Sequence, residues 1–393
     1  MPNIKKLLFK IVLSLLFSST AIAETNKLLD QNTNTKQQNE MDQQSKIKEP
    51  NILAEEYFKI GRSFFKLGQY QEAIKNYDLA IKYKPDYAES YNSKGMAFND
   101  LGNYQEAIKN FDIALKYDSN FAEVYNNKGV SYKKLEKYQE AIILYDMAIK
   151  YKPNFAVAYN NKGNVLNILG KYHESIEYFD IALQYNPNYP EAYYNKGISL
   201  MNLGLYQEAI KNIDLAIKYK PDYVEAYNNK GLSLIHLGQF QECIRACNLA
   251  IKYKPNYVKA YYNKAYALNI LWKYQEAIEN CDLAIKYDSN YVAAYLEKGI
   301  ALEKLGKHQE AIKNYDLAIN YKADFAESYL EKGIALISLR KHQQAKENFT
   351  LALKYKPNLI EEYEKIITGL RQLGNNRMTD EFEQKLKILK DNL

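Results

Sequence analysis

Residues 54–87 read AEEYFKIGRSFFKLGQYQEAIKNYDLAIKYKPDY, and this 34-residue pattern returns eight more times without an insertion or deletion. The nine units span 54–87, 88–121, 122–155, 156–189, 190–223, 224–257, 258–291, 292–325 and 326–359. Within the first unit the apolar spacing predicts two helices, 55–67 and 71–83. Gly68 ends the first, because glycine enters the left-handed conformation that closes a helix. Pro85 ends the second, because proline disfavours helix in the residue before it. Counted from the start of each unit, position 4 is always tyrosine, from Tyr57 to Tyr329, and position 30 is tyrosine from Tyr83 to Tyr355. Position 8 is glycine in eight units and Ala265 in the seventh; position 27 is always alanine, from Ala80 to Ala352. Position 20 is small throughout, with Ser175 and Cys243 among the alanines. Small residues at fixed places let two helices approach, and the aromatic residues fill the space that remains. No single unit buries its apolar face alone, so the stack must supply a continuous core.

A 34-residue period with these small and aromatic positions resembles the tetratricopeptide repeat family. The resemblance covers 54–359 and implies an all-α fold, a right-handed superhelical solenoid of antiparallel helix pairs. Two departures stand out. Position 4 is tyrosine where the family often has tryptophan, and position 7 is lysine in eight units where the family often has leucine. The lysines are expected to widen the polar surface. Residues 360–393 keep Tyr363 but lose the glycine, with Ile367 at that place; their second half carries Phe382, Leu386 and Leu389 on one face. They read as a degenerate tenth unit of capping helices, with a dimerising helix as the alternative.

The flanks are different in kind. Residues 1–23 carry Lys5, Lys6 and Lys10, an apolar run over 7–17, and Ala21-Ile22-Ala23. That is the pattern of a secretory signal cleaved after Ala23, and the run is far below the roughly 20 residues of a spanning helix. An exported protein, periplasmic or secreted from a bacterial cell, is the expectation, with no transmembrane segment after cleavage. No cysteine follows the run, so a lipid anchor there is not expected. Residues 24–53 form a polar leader; 24–50 lack aromatic residues and are expected to be disordered.

The composition narrows the chemistry. A net charge of +6 over 393 residues, three of the charges being Lys5, Lys6 and Lys10 of the expected signal, makes no case for nucleic acid. Lysines at positions 7, 29 and 31 interleave with glutamates and read as a solvated face. Cys243, Cys247 and Cys281 replace core residues, are odd in number and match no zinc spacing, so buried free thiols are expected. His308 and His342 stand where other units have Tyr or Phe240, and read as packing substitutes. There is no phosphate-binding loop and no nucleophile motif. No catalysis, metal or cofactor is expected.

The resemblance implies that the first helix of each unit, helix A, lines a concave groove with positions 2, 5, 6, 9, 12 and 13. Position 6 reads Lys59, Ser93, Asn127, Asn161, Asn195, Asn229, Asn263, Glu297, Glu331. Five successive asparagines form a ladder whose amides both donate and accept. They resemble the asparagine ladder in the groove of protein O-glycosyltransferases, which holds a substrate backbone. A peptide or protein partner is therefore the expectation. A by-product of repeat duplication is the competing reading, favoured by asparagine also filling position 5 at Asn92, Asn126, Asn160 and Asn228. The family's carboxylate clamp is not assembled: Asn164 fills position 9 but Asn160 stands where a lysine is needed. Groove rings at Tyr194, Tyr262 and Tyr266 motivate an alternative, a cell-envelope structural or glycan-binding protein.

Overall fold

The computed structural model describes residues 50–372 and 376–393, and every regular element in it is helical. The expected signal segment and most of the expected leader lie outside the described residues. Each period folds into helix A and helix B: α1 (Pro50–Lys66) with α2 (Tyr70–Tyr83), α3 (Ala88–Asp100) with α4 (Tyr104–Tyr117), and so on in register to α17 (Ala326–Ser338) with α18 (His342–Tyr355). Two helices follow, α19 (Leu359–Gln372) and α20 (Asn376–Asp391). The described residues form two compact bodies that divide at Pro153 and Asn154. The first contains three helix pairs, the second six pairs and the two terminal helices. In each body helix B packs on its own helix A and on helix A of the following unit. The first helix opens earlier than the sequence pattern predicts. Pro50 starts it, a residue suited to the first helical turn, where no N–H is needed. Leu53, read as part of the leader, is buried.

Three repeated contacts hold a unit to itself and to its neighbour. The tyrosines at positions 4 and 30 pair in every unit, with centroids 5.4 to 5.9 Å apart; they stack in eight units, as in Tyr125 with Tyr151 and Tyr91 with Tyr117, and are tilted in the fourth, Tyr159 with Tyr185. In the third and the sixth to ninth units the position-4 hydroxyl also donates back to the chain entering its helix, as Tyr227 does to the Pro221 carbonyl at 3.1 Å. This double role, ring in the core and hydroxyl on a backbone carbonyl, is what phenylalanine cannot supply.

The position-7 lysines do not simply widen the polar surface. Lys94 pairs with Asp78 at 2.6 Å, and Lys230 with Asp214, Lys298 with Asp282 and Lys332 with Asp316 at the same distance. The lysine stem lies along the packed face while its ammonium reaches the helix B of the preceding unit. Each pair is only partly shielded and contributes at most about 1 kcal/mol. Repeated along the stack, the pairs fix the register between units.

Position 8 sets the distance between helices A and B. A methyl group added at Gly95 would stand 2.5 Å from the Phe111 ring, and one at Gly333 would stand 2.4 Å from Phe349. The seventh unit solves the same problem differently: Ala265 replaces glycine, and Cys281 replaces the ring at position 24. A larger residue on helix A is matched by a smaller one on helix B.

Position 15 closes helix A in the left-handed region. Six units place glycine there, but Glu136, Trp272 and Arg340 adopt φ of 59°, 64° and 59°. A side chain costs about 1 kcal/mol in that conformation. Arg340→Gly is therefore expected to raise stability by roughly 0.5–1 kcal/mol, after the entropy glycine regains in the unfolded chain. Urea unfolding of the variant checks this; an unchanged midpoint would mean that Arg340 makes compensating contacts.

Candidate functional site

The position-6 asparagines are brought together with those at position 5, across units. Asn127 Nδ2 donates to Asn92 Oδ1 at 3.1 Å, Asn195 to Asn160 and Asn263 to Asn228 at 3.0 Å. Where position 5 is Tyr194, Asn229 donates to its hydroxyl at 2.9 Å. Neighbours in one helix join the chain, Asn126 to Asn127 and Asn228 to Asn229. The position-5 asparagines are buried and were expected to be open; Asn127, Asn161, Asn195 and Asn229 are half-buried, and Asn263 is buried. A buried carboxamide must find partners, and these find one another. Asparagine at both positions is thus explained by geometry: each step of the ladder needs a donor on one unit and an acceptor on the last.

The expected aromatic platforms are also engaged. Tyr194 packs against Tyr223 at 4.7 Å, and Tyr262 against Tyr291 at 5.5 Å. All four rings are half-buried, and burial raises the hydroxyl pKa of each. His308 bonds Glu303 at 2.8 Å, whereas His342 is exposed and fills no core space. Among the described residues no group of three or more His, Cys, Asp or Glu side chains is placed to hold a metal ion.

The three cysteines are free and fully buried, with Cys243 and Cys247 sulfurs 3.9 Å apart. The contact with Cys243 and burial push the Cys247 thiol well up, and burial does the same at Cys281. A thiol so protonated and enclosed is a poor nucleophile. Native protein should react with a bulky maleimide at least ~100-fold more slowly than the same protein in denaturant, since access needs an opening of the core. Rapid labelling without denaturant would show the core to be open there.

The most developed surface is at the C-terminal end of the second body. Within each body helix B packs between helix A of its own unit and helix A of the next. α20 does not take that place. It crosses the helix-A side of the last three units, over α13 (Val258–Ile270), α15 (Val292–Lys304) and α17. Arg377 stacks over Trp272. Glu381 pairs with Lys304 at 2.8 Å, and Lys385 with Glu331 at 2.6 Å. Leu386 and Leu389 are buried in one cluster with Tyr363, Ile367 and Phe349, and Phe382 packs on Tyr363. The tail does cover the end of the stack, through α19 and the apolar side of α20, but its second helix is folded back onto the helix-A face.

Between α20 and the units lies a cavity of about 360 Å³, lined by Tyr266, Asn269, Trp272, Leu296, Ile300 and Met378. Glu297, the position-6 residue of the eighth unit, is buried beside it. Burial pushes its carboxyl from 4.5 up to about 7, against the pull of Asn269, which donates to Oε2 at 2.9 Å, and of Lys385. Neighbouring Glu331 and Glu381 add to the rise. The same carboxylates raise the Lys385 ammonium pKa against its own burial. Asn269 Oδ1 is buried without a partner. The sequence reading missed this cluster because Glu297 and Glu331 looked like the end of the ladder. Their signal was a change of residue type after five successive asparagines at that position, in a chain whose tail helix carries basic residues.

The family profile described as "TPR repeat" matches residues 61–102 and 95–136. Profiles described as "Tetratricopeptide repeat" match 122–155, 156–189, 190–223, 224–257, 273–327 and 326–359. Among solved structures, the hetero-tetramer Cut9–Hcn1 of the APC/C is similar at 12% identity and a TM-score of 0.51, over 78% of this chain and 74% of that one. PilF of Pseudomonas aeruginosa is 19% identical with a TM-score of 0.49, over 54% of this chain and 97% of its own. YrrB, described as a TPR protein with an unusual peptide-binding site, is 23% identical with a TM-score of 0.38, over 47% of this chain and 95% of its own. No curated protein matches by sequence. The matched profiles cover well over half of the chain, and the nine helix pairs, the glycine-against-ring contact and the Cut9–Hcn1 likeness agree with them. The chain belongs to the tetratricopeptide repeat family.

Proposed function

We propose that the chain is an exported scaffold that binds a peptide or protein segment along the helix-A face and catalyses nothing. The observation that carries this reading is α20: a segment of chain is seated across that face, held by apolar and ionic contacts, with a cavity left beside it. A surface that accepts one helix in cis has the shape and chemistry to accept a segment in trans. The asparagines add donors in each body taken by itself. Each amide that donates to the preceding unit has a second N–H, so Asn127 in the first body, and Asn195 and Asn229 in the second, keep a donor for an extended backbone, and Asn161 and Asn263 stand at the same repeat position. Export rests on the signal pattern of residues 1–23, and N-terminal sequencing of the mature protein beginning at Glu24 is its check.

Panning a displayed random-peptide library on the full chain tests the binding reading. Enriched peptides are expected to bind at micromolar affinity. Asn195→Ala with Asn229→Ala should weaken those that lie on the ladder about 5- to 30-fold, the effect of losing one or two neutral hydrogen bonds. No enrichment, or enrichment indifferent to every helix-A substitution, would remove the binding reading.

A further inference from the structure

The contacts of α20 have a period. Arg377, Glu381 and Lys385 stand four residues apart, so they form one stripe along the helix. Each meets a different repeat: Trp272 of the seventh unit, Lys304 of the eighth and Glu331 of the ninth. The units thus present, in order, a ring, a cation and an acid, and the helix answers with cation, acid and cation. One four-residue step of an α-helix advances about 6 Å. The apolar stripe Phe382, Leu386, Leu389 runs beside the charged one and packs into the end of the stack.

Two features of the unit side are not explained by the repeat's own stability. Trp272 occupies the left-handed position where six units use glycine, and the residue is 57% exposed. A bulky side chain in a strained backbone, largely in solvent, costs stability without filling the core. Its ring meets Arg377. Glu297 and Glu331 replace ladder asparagines with buried acids, which are destabilising unless a cation answers them. Lys385 is that cation for Glu331, which it meets at 2.6 Å. The seventh to ninth units are therefore altered at the places that face the helix, and by residues that serve a ligand rather than the stack.

We propose that the helix-A face of the seventh to ninth units is a docking site for an amphipathic helix carrying a cation, an acid and a cation at four-residue spacing. α20 is its resident occupant, and a partner helix with the same pattern displaces it. This inference rests on the protein-binding reading above and names the partner's chemistry. Because the site is filled in cis, the apparent affinity for a partner is lowered by the fraction of time the site is free. A helix docked ~90–99% of the time reduces that affinity about 10- to 100-fold.

The test uses the full chain and a fluorescent synthetic peptide of the sequence of residues 376–391, read by anisotropy. Wild-type protein should bind the peptide weakly. Lys385→Glu in the chain places an acid against Glu331 and Glu297, frees the site, and should raise peptide affinity at least 10-fold. Arg377→Ala, at an exposed position, should raise it several-fold, and it carries the test if circular dichroism shows that the lysine variant is unfolded. A peptide bearing Glu in place of the lysine equivalent to Lys385 should bind neither variant. Equal affinity for wild-type and released chains, or for both peptides, overturns the proposal. So does a released chain that dimerises by exchanging tails, seen by light scattering, since a second copy would then be the occupant. Library peptides that still bind and still respond to helix-A substitutions, while the 376–391 peptide fails, would sink this inference and leave the binding reading standing.

Discussion

Gly299→Val is expected to destabilise the chain by roughly 3 kcal/mol, at the upper end of what overpacking a tight core costs. A Cβ at Gly299 stands 2.3 Å from Tyr315 Cε1 and 2.7 Å from Cδ1. Tyr315 is fully buried, so its ring has no open space to swing into. The helices must part, and the neighbouring units feel the shift through their shared core. The contrast that isolates the cause is Gly231→Ala. There the new methyl meets Cys247 Sγ at 3.1 Å and no ring, and alanine favours helix by about 1 kcal/mol. That variant should be close to neutral, while Gly299→Ala loses stability. The seventh unit already carries the compensated pair, Ala265 facing Cys281. Urea unfolding followed by circular dichroism compares the variants. Amide exchange across α15 and α16 (His308–Tyr321) localises the loss, which matters because a repeat array need not unfold in one step. Equal losses at Gly231 and Gly299 would show that the ring contact is not what demands glycine.

The second large effect is pH-dependent. Glu297→Gln is expected to stabilise the protein at pH 8 by roughly 3 kcal/mol and to do nothing below pH 4.5. The sign follows from a folded-state pKa of about 7 against 4.5 for a free glutamate. Below 4.5 both states hold the proton and there is no penalty. Between 4.5 and 7 the unfolded chain releases it while the folded chain keeps it, so stability falls as pH rises. Above 7 the full cost of a buried carboxylate is present. Glutamine never ionises, accepts the Asn269 bond in the same way, and has an N–H for the unpartnered Asn269 Oδ1. The quantity to measure is the difference in unfolding midpoint between variant and wild type at pH 5 and at pH 8, so that other groups cancel. Glu381 is one such group; Lys385, Lys304 and Arg377 outweigh its burial and hold its carboxyl low, and its contribution is lost as pH falls. A midpoint difference that is flat with pH would mean that Glu297 is not buried in the folded protein.

The sequence by itself determined the helix pairs, because each is encoded locally and nine times over. A period of 34, a glycine facing a ring, and a turn residue between the helices are short-range facts, and repetition makes each one visible against its neighbours. It also determined that the cysteines lie inside, since they stand where alanine, tyrosine or phenylalanine stands in other units. The tertiary structure alone decided what the polar positions do. Lys94 and Asp78 are 16 residues apart on different helices, and nothing in the pattern says that the stem of one lies along the core so that its ammonium reaches the other. Asn127 and Asn92 are 35 apart, and only stacking puts one amide on the other. The tail was legible as an amphipathic helix but not as a ligand. Its apolar stripe fits any apolar surface, because hydrophobic burial is not directional. Its destination was fixed by a ring and two charges on three different repeats, Trp272, Lys304 and Glu331, which come into line only when the stack sets them side by side.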